Sequence, residues 1–127
     1  MAIGAEDTLS SRLEKIALLK EDWDGYNSPA ISKRSLIHSK QIIKLFDKDT
    51  ISGLTIWPNE YGGVLLRYCN GDKTIFACDI GDECLSYYIT FPGKKTLDFA
   101  FIEYSEQSMS ELSMRLADLV KYLQKNK

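Results

Sequence analysis

Apolar residues recur at helical spacing near both ends of the chain and alternate with polar residues in the middle. The first helical segment, TLSSRLEKIALLK, carries an apolar stripe on one face, which consists of Leu9, Leu13, Ile16 and Ala17 and is widened by Leu18 and Leu19. Asp7 or Thr8 can cap this helix, because their side-chain oxygens accept the free amides of a first turn. The pattern predicts that the helix ends near residues 20–22, before Gly25.

Two further helices are predicted from the same kind of pattern. Ser32 is a candidate N-cap that lies between Ile31 and Leu36, the spacing of a hydrophobic staple. The inner face of this second helix is predicted to consist of Leu36, Ser39, Ile42, Ile43 and Phe46. A last helix is predicted to begin at Ser108, which has capping-box spacing to Glu111. Its apolar stripe consists of Leu112, Leu116, Leu119, Val120 and Leu123.

The segment between residues 53 and 104 has the pattern of five strands separated by short turns: GLTIWP, YGGVLLRYC, KTIFACDI, CLSYYITF and KTLDFAFIEY. Asn70–Gly71 is the strongest hairpin signal, because this pair tolerates the positive φ angles of a type I′ turn. Spacers of a few residues favour antiparallel pairing of consecutive strands, since a parallel crossover needs about a dozen residues or more.

Alternation along the fifth strand predicts which side chains it buries. One face consists of Leu97, Phe99 and Phe101, with Glu103 as its last candidate, and the other of Thr96, Asp98, Ala100, Ile102 and Tyr104. The first face is the more apolar, as expected when helices cover one side of an antiparallel sheet.

Together these patterns predict an α+β fold. It has two N-terminal helices, a five-stranded antiparallel meander sheet and a C-terminal helix packed on one face. The length of 127 residues suits a single domain, residues 1–127.

The stretch EDWDGYNSPAIS, residues 21–32, joins the first two helices and shows neither the helical spacing nor the strand-like alternation of apolar residues. A connection this long needs an anchor, and Trp23 supplies one if its ring is buried while its indole N–H reaches a backbone carbonyl. Gly25 permits a backbone angle that a side chain would forbid, and Asn27 and Ser28 can satisfy local amides. Under this interpretation, Trp23→Ala costs on the order of 3 kcal/mol, as truncation of a core aromatic does.

The same loop has a functional interpretation, since loops on a rigid scaffold often carry function. The candidate partner-binding residues are then Asp22, Trp23, Asp24 and Tyr26. A third interpretation, a metal site on the two aspartates, lacks a histidine nearby in sequence.

The segments LEKIALLKEDWDGYNSPAIS and IWPNEYGGVLLRY resemble a group of small bacterial proteins with a Trp-Asp-Gly-Tyr loop. In that group a leucine-rich helix precedes the loop, and a Pro-x-x-x-Gly-Gly stretch leads into an apolar strand. The resemblance covers roughly residues 9–69. This chain differs from the group in having Asn27, where a small residue is common, and a C-terminal helix. Members of this group look like products of accessory genes in variable regions of bacterial genomes. The resemblance therefore implies a protein-binding role and does not imply a catalytic activity.

Charge and cysteine content narrow the function classes. The net charge is −2 and the pI about 5.4, without the basic excess or stripe of a nucleic-acid-binding protein. The densest basic run, SKRSLIHSK, is expected to be a solvated helix face. Three cysteines are too few, and odd in number, for a disulfide framework. The N-terminal residues lack the pattern of a signal peptide, and no apolar run approaches the ~20 residues of a membrane-spanning helix. We therefore expect a cytoplasmic protein that binds neither nucleic acid nor membrane.

No residue pattern predicts catalysis, a cofactor or a metal ion. His38 is the single histidine and lies on a predicted helix, and Cys78 lies within a strand, so both are expected to pack rather than react. Cys69 and Cys84 lack metal-ligand spacing. Acid–base work remains conceivable for the carboxylates of the sheet, which are Asp79, Asp82, Glu83, Asp98 and Glu103. An aromatic core is expected to contain Tyr87, Tyr88, Phe91, Phe99 and Phe101. A base-stacking platform is disfavoured for this set, because it needs basic neighbours and only Arg67, Lys94 and Lys95 are candidates.

An acidic, histidine-poor domain with surplus aromatics favours a non-catalytic protein-binding module, because Trp and Tyr often anchor interfaces. Binding would use the open face of the sheet or the loop with Trp23 and Tyr26. One version is an antitoxin-, immunity- or inhibitor-like role in a bacterial accessory system. The alternatives are a small-molecule-binding domain with an apolar pocket between sheet and helices, and an enzyme that uses carboxylates. We expect a protein partner and leave a homodimer open.

Overall fold

The helices and strands follow one another in the predicted order. The computed structural model describes residues 9–46, 53–71, 73–91 and 93–125. Its elements are α1 (Leu9–Ala17), α2 (Lys33–Ile43), β1 (Leu54–Pro58), β2 (Val64–Asn70), β3 (Lys73–Ile80), β4 (Cys84–Thr90), β5 (Thr96–Glu103) and α3 (Glu106–Lys125). The predicted α+β class, with two helices before the sheet and one after it, is confirmed.

The sheet is an antiparallel meander in which each strand pairs with its neighbour in sequence, in the order β1-β2-β3-β4-β5. The predicted hairpin joins β2 to β3, and Gly71 has φ +68. Asn70 does not share this conformation, because it lies in β2 and pairs with Lys73, so the predicted type I′ geometry at Asn70–Gly71 is wrong. Because consecutive strands run in opposite directions, the turns 59–63 and 81–83 and the C-terminal end of β5 lie at the same end of the sheet. We call this end, together with the loop 21–32, the motif end.

A core of apolar side chains lies between the helices and one face of the sheet. The strands contribute alternate residues to this face, since β4, for example, buries Leu85, Tyr87 and Ile89 and leaves the residues between them half-buried. The helices cover it with buried residues that are Leu9, Leu13 and Ile16 of α1, Ile42 of α2, and Leu112, Leu116 and Leu119 of α3. Burial of each such side chain contributes about 1.5–3 kcal/mol relative to exposure, which is why this stripe decides the packing.

Helix α1 is shorter than predicted. The amides of Leu18 and Leu19 bond to the carbonyls three residues back, those of Lys15 and Ile16, and such tight bonds are typical of a helix end. Ala17 is exposed and Leu18 is 78% exposed, so neither belongs to the buried stripe. The predicted caps Asp7 and Thr8 lie outside the described residues.

Helix α2 confirms the predicted cap at Ser32. Its side chain accepts the Ser35 amide at 3.0 Å, and its carbonyl accepts the Leu36 amide at 3.1 Å. Ile31 before the cap is buried, as the staple requires. Ser35, which was not predicted to face inward, is also buried.

The N-cap of helix α3 lies three residues before the predicted one, Ser108, and the helix begins at Glu106. Ser105 is the N-cap, because its Oγ accepts the Ser108 amide at 3.0 Å while its carbonyl accepts the Met109 amide. Ser108 completes the box by accepting the Ser105 amide at 2.9 Å. Ser108 therefore occupies the third helical position, and Glu111 lies one turn further on, 3.6 Å from Arg115 Nη1.

Removing this cap is expected to destabilise the protein. Ser105→Ala leaves the Ser108 amide without its acceptor and should lower the free energy of unfolding by about 1 kcal/mol. Ser110→Ala is the matched control, because Ser110 is exposed within the same helix. Urea unfolding of the two variants gives the comparison, and equal midpoints would show that the Ser105 hydroxyl does not stabilise the start of the helix.

The fifth strand departs from the predicted alternation. Phe99 packs against the core as predicted, but Leu97 is 43% exposed and Phe101 is 81% exposed. Ile102 and Tyr104 pack inward instead. The cause is a register irregularity where β5 pairs with Leu85 and Tyr87, which moves the following residues to the opposite face.

Candidate functional site

The loop between α1 and α2 is closed by hydrogen bonds among its own residues. The Asp22 amide donates to the Ser28 carbonyl at 2.8 Å, and the Asp22 carboxylate accepts the Asn27 amide at 2.8 Å. The Asp24 carboxylate accepts the Tyr26 amide at 2.9 Å and also the Ser28 hydroxyl. Both aspartates thus hold the loop, because their carboxylates accept the Tyr26 and Asn27 amides. Of the two residues predicted to satisfy local amides, Ser28 does so through its carbonyl, which accepts the Asp22 amide.

The loop backbone passes three times through the left-handed region. Gly25 has φ +77, as its predicted role requires, but Asp22 at φ +62 and Asn27 at φ +65 adopt it as well. Aspartate and asparagine tolerate this conformation because their short side chains bond locally. The hydrogen bonds from Ser28 and Tyr26 lower the pKa of the Asp24 carboxyl, which remains the acceptor that the loop needs at neutral pH.

Trp23 anchors the loop through its indole nitrogen. Its Nε1–H donates to the Pro29 carbonyl at 2.9 Å, so the predicted hydrogen bond to the backbone is confirmed. The ring is half-buried and is not part of the core cluster, so the predicted core location is wrong. Trp23 braces the loop against its own return segment.

We therefore expect a smaller effect from Trp23 than a core aromatic would give. Trp23→Ala removes one hydrogen bond and the partial burial of the ring, which together should cost about 1–2 kcal/mol. Trp23→Phe keeps an aromatic ring without the donor and should cost about 1 kcal/mol. Thermal and urea unfolding measure both variants, and a loss as large as a core truncation, about 3–5 kcal/mol, would contradict the half-buried position.

The turn 59–63 lies directly against this loop. The Ser32 amide donates to the Gly62 carbonyl at 2.9 Å, and a β-carbon at Gly62 would lie 3.2 Å from the Ala30 carbonyl oxygen. Asn59 holds the turn, since its Oδ1 accepts the Tyr61 and Gly63 amides at 2.9 and 2.8 Å. The Trp-Asp-Gly-Tyr loop and the Pro-x-x-x-Gly-Gly stretch therefore form one continuous surface.

A cleft of about 630 Å³ opens at the same end, between α2 and the ends of β4 and β5. It is lined by Arg34, His38, Glu83, Cys84, Phe101, Glu103 and Tyr104. Arg34 lies 3.8 Å from the Asp82 carboxylate, which partly compensates its charge. The cleft therefore combines two glutamates with aromatic rings.

A stacked pair of rings forms one wall of this cleft. The rings of His38 and Tyr104 lie 3.5 Å apart between centroids and 7° from parallel. The Tyr104 hydroxyl donates to the Gly81 carbonyl at 2.8 Å, and burial raises the pKa of this hydroxyl so that it stays a donor. His38 Nδ1 is buried and has no hydrogen-bond partner among the described residues. The stacking on Tyr104 is a packing contact, as predicted. His38 also lines the cleft together with Glu83 and Glu103, so its predicted lack of a chemical role stays a prediction.

Three aromatic side chains of the motif end are almost fully exposed. Tyr26 is 87% exposed in the loop, Tyr61 is 81% exposed in the turn, and Phe101 is 81% exposed beside the cleft. Phe101 has φ +54, a conformation that costs a bulky residue about 1–2 kcal/mol. Of the predicted partner-binding residues, Tyr26 alone projects into solvent in this way.

Sequence reasoning missed Tyr61 and Phe101. A signal for Tyr61 existed, because an aromatic between Asn59 and Gly62 lies in a turn, and turns run over the protein surface. Phe101 gave no such signal, since strict alternation placed it inside. Its predicted membership of the aromatic core is wrong for the reason given above, the irregular pairing of β5.

The other predicted chemical groups are dispersed. Cys78 is buried, and this burial raises the pKa of its thiol well above the ordinary value. The carboxylate of Asp79 accepts the Asn59 side-chain amide at 2.6 Å on the open face of the sheet. Within the described ranges, no three His, Cys, Asp or Glu side chains are grouped so as to hold a metal ion.

A second cleft, of about 640 Å³, lies at the opposite end and has the opposite charge. Lys94 and Lys95 of the β4–β5 turn meet Lys121 and Lys125 of α3 there, around Tyr122. Lys94 Nζ lies 5.6 Å from the Tyr122 ring centroid. The sequence did not predict this cleft, because two of its four lysines lie in the β4–β5 turn and the other two lie in α3, more than twenty residues later.

Comparison of the chain with protein-family models, with curated proteins and with solved structures finds no match. Across the described parts of the chain, no helix has the length and apolar character needed to span a membrane.

Proposed function

We propose that this protein is a non-catalytic protein-binding module and that its motif end is the binding surface. The observation that carries the proposal is the exposure of Tyr26, Tyr61 and Phe101, each more than four-fifths exposed, on segments that meet at one end of the sheet. Large aromatics are enriched among the anchors of protein interfaces. Three aromatic side chains that are this exposed at one end of a small domain contribute little to its core, so packing within the domain does not account for them.

The backbone beneath these aromatics supports the proposal. Tyr26 and Tyr61 follow Asp24 and Asn59, whose side chains accept their amides at 2.9 Å. The Phe101 amide donates to Ser86 Oγ at 3.0 Å. Side chains on a fixed backbone lose less conformational freedom on association, which favours tight binding.

The resemblance to bacterial proteins with a Trp-Asp-Gly-Tyr loop extends this proposal to the biological system in which the protein acts. An antitoxin-, immunity- or inhibitor-like role in a bacterial accessory system, in the cytoplasm, is the version that we favour. The two alternatives, a small-molecule-binding domain and an enzyme that uses carboxylates, stay predictions. The existence of a homodimer stays open.

The test is comparative capture of partners from an extract of the source cells. Wild-type protein is compared with the triple variant Tyr26→Ser, Tyr61→Ser, Phe101→Ser. The matched control is Leu18→Ser with Met114→Ser, because these apolar residues are 78% and 65% exposed elsewhere on the surface. Quantitative mass spectrometry should find at least one protein that the control retains and the triple variant loses. If the triple variant retains every protein that wild type captures, the motif end is not the binding surface.

A further inference from the structure

We infer that the partner presents a basic surface and inserts an arginine side chain into the cleft between α2 and β5. This inference rests on the proposed function, because it names the chemistry of the partner that the motif end binds.

The motif end is acidic although the whole chain carries a net charge of only −2. The motif end and the residues that flank it, which are 20–34, 59–63, 81–83 and 103–106, contain three cationic side chains, Lys20, Lys33 and Arg34. The same segments contain eight carboxylates, which are Glu21, Asp22, Asp24, Glu60, Asp82, Glu83, Glu103 and Glu106. Complementary charge steers association and suppresses wrong partners, so this surface favours a basic protein over an acidic one.

The carboxylates of the cleft are available to a ligand. Asp22 and Asp24 are used within the loop and Asp82 faces Arg34, but Glu83 and Glu103 are exposed. Neither of these glutamate carboxylates has a hydrogen bond or ion pair with another described residue. They come from neighbouring segments, since Glu103 ends β5 and pairs with Cys84, the residue that follows Glu83 of the turn 81–83.

The rings of the cleft distinguish arginine from other cations. Phe101 and Tyr104 line the same cleft as the two glutamates. A guanidinium is planar and weakly hydrated, so it stacks on an aromatic face while it donates to carboxylates, whereas an ammonium is a compact and strongly hydrated charge.

The protein already holds one of its own arginines in this manner. Arg115 Cζ lies 4.1 Å from the centroid of the Phe99 ring. Its Nη1 donates to the Tyr87 hydroxyl at 2.9 Å and lies 3.6 Å from a Glu111 oxygen. The cleft offers two of these kinds of group, the Phe101 ring and glutamate carboxylates, to an arginine from outside. Its tyrosine, Tyr104, already donates to the Gly81 carbonyl and stacks on His38.

The inference is tested by NMR titration of the full-length, ¹⁵N-labelled protein with N-acetyl-argininamide. The uncharged isostere N-acetyl-citrullinamide and N-acetyl-lysinamide are the comparison probes. We expect argininamide to shift the amide signals of residues 82–84 and 101–104 with a dissociation constant on the order of millimolar. Citrullinamide should shift none of them, and lysinamide should bind more weakly than argininamide.

Two variants assign the site. Glu83→Gln with Glu103→Gln should weaken argininamide binding about tenfold or more while the spectrum stays that of the folded protein. Asp118→Asn is the control, because Asp118 is the acidic residue of the lysine-lined cleft at the other end. Equal shifts with argininamide and citrullinamide, no shifts at millimolar argininamide, or binding that survives the double substitution would each overturn the inference.

Failure here is distinguishable from failure of the proposed function. If argininamide does not bind but the aromatic triple variant still loses its captured protein, the motif end binds a partner of another chemistry. If argininamide binds but the triple variant loses nothing, the cleft recognises arginine and the aromatic surface has no part in capture.

Discussion

Gly63→Ala is expected to lower the free energy of unfolding by about 3 kcal/mol, the largest loss that a single added methyl group should cause in this protein. A β-carbon at Gly63 would lie 2.5 Å from the Ile80 carbonyl oxygen and 2.8 Å from Asn59 Nδ2. The first of these atoms belongs to the backbone of β3 in the middle of the sheet, and the second is held by its bond to Asp79. Neither can move without loss of other hydrogen bonds, so the added atom must displace the turn.

Gly71→Ala is the control for this substitution. Gly71 has φ +68, but a β-carbon there would meet no atom within 4 Å. The control therefore bears only the cost of a positive φ angle, about 1 kcal/mol. Urea unfolding of both variants separates steric contact from backbone strain. Equal losses would mean that the turn 59–63 has room for a side chain.

This steric requirement gives a physical reason for the second glycine of the Pro-x-x-x-Gly-Gly stretch. Gly63 lets the turn approach the end of β3, and Gly62, at φ +86, carries the carbonyl that accepts the Ser32 amide. The turn is thereby fixed to the start of α2, and the loop with Trp23 returns to the same place through Pro29. The residues that carry the resemblance thus build the scaffold of the motif end, while the exposed tyrosines project from it.

Much of the fold was predictable because its signals are local. Helical and alternating periodicities identify every element, and the Asn70–Gly71 pair indicates the hairpin between β2 and β3, since both signals depend on residues a few positions apart. Element ends were harder to predict. The start of α3 was wrong because two serines, Ser105 and Ser108, compete for the cap, and only the packed chain decides which carbonyl accepts the first helical amide.

The candidate site was less predictable because it depends on contacts between distant segments. Asp24 was expected to project toward a partner, whereas its carboxylate holds the loop through Ser28. The cleft joins α2 to strands that come about fifty residues later along the chain. Phe101 was placed inside because alternation assumes regular pairing, and one irregularity in β5 reversed the faces beyond it.

That irregularity leads to the second large prediction, in which one position affects stability and binding in opposite directions. Phe101→Gly removes a ring that is 81% exposed and relieves a φ of +54. The relief of about 1–2 kcal/mol, less the cost of glycine in a strand, should raise the free energy of unfolding by about 0.5–1 kcal/mol. The same substitution should weaken binding of the captured partner about thirtyfold, the effect of losing an anchor worth roughly 2 kcal/mol.

Phe101→Ala separates the two effects. Alanine removes the ring but keeps a β-carbon at the same positive φ, so it should weaken binding as much as glycine does without raising stability. Urea unfolding and titration calorimetry with the captured partner measure both variants. If glycine and alanine are equally stable, the strain at Phe101 is not real, and if both bind like wild type, the ring is not an anchor. If glycine raises stability and lowers affinity, the strained backbone at Phe101 costs stability and places the ring for binding. Backbone strain of this kind is typical of functional positions in natural proteins.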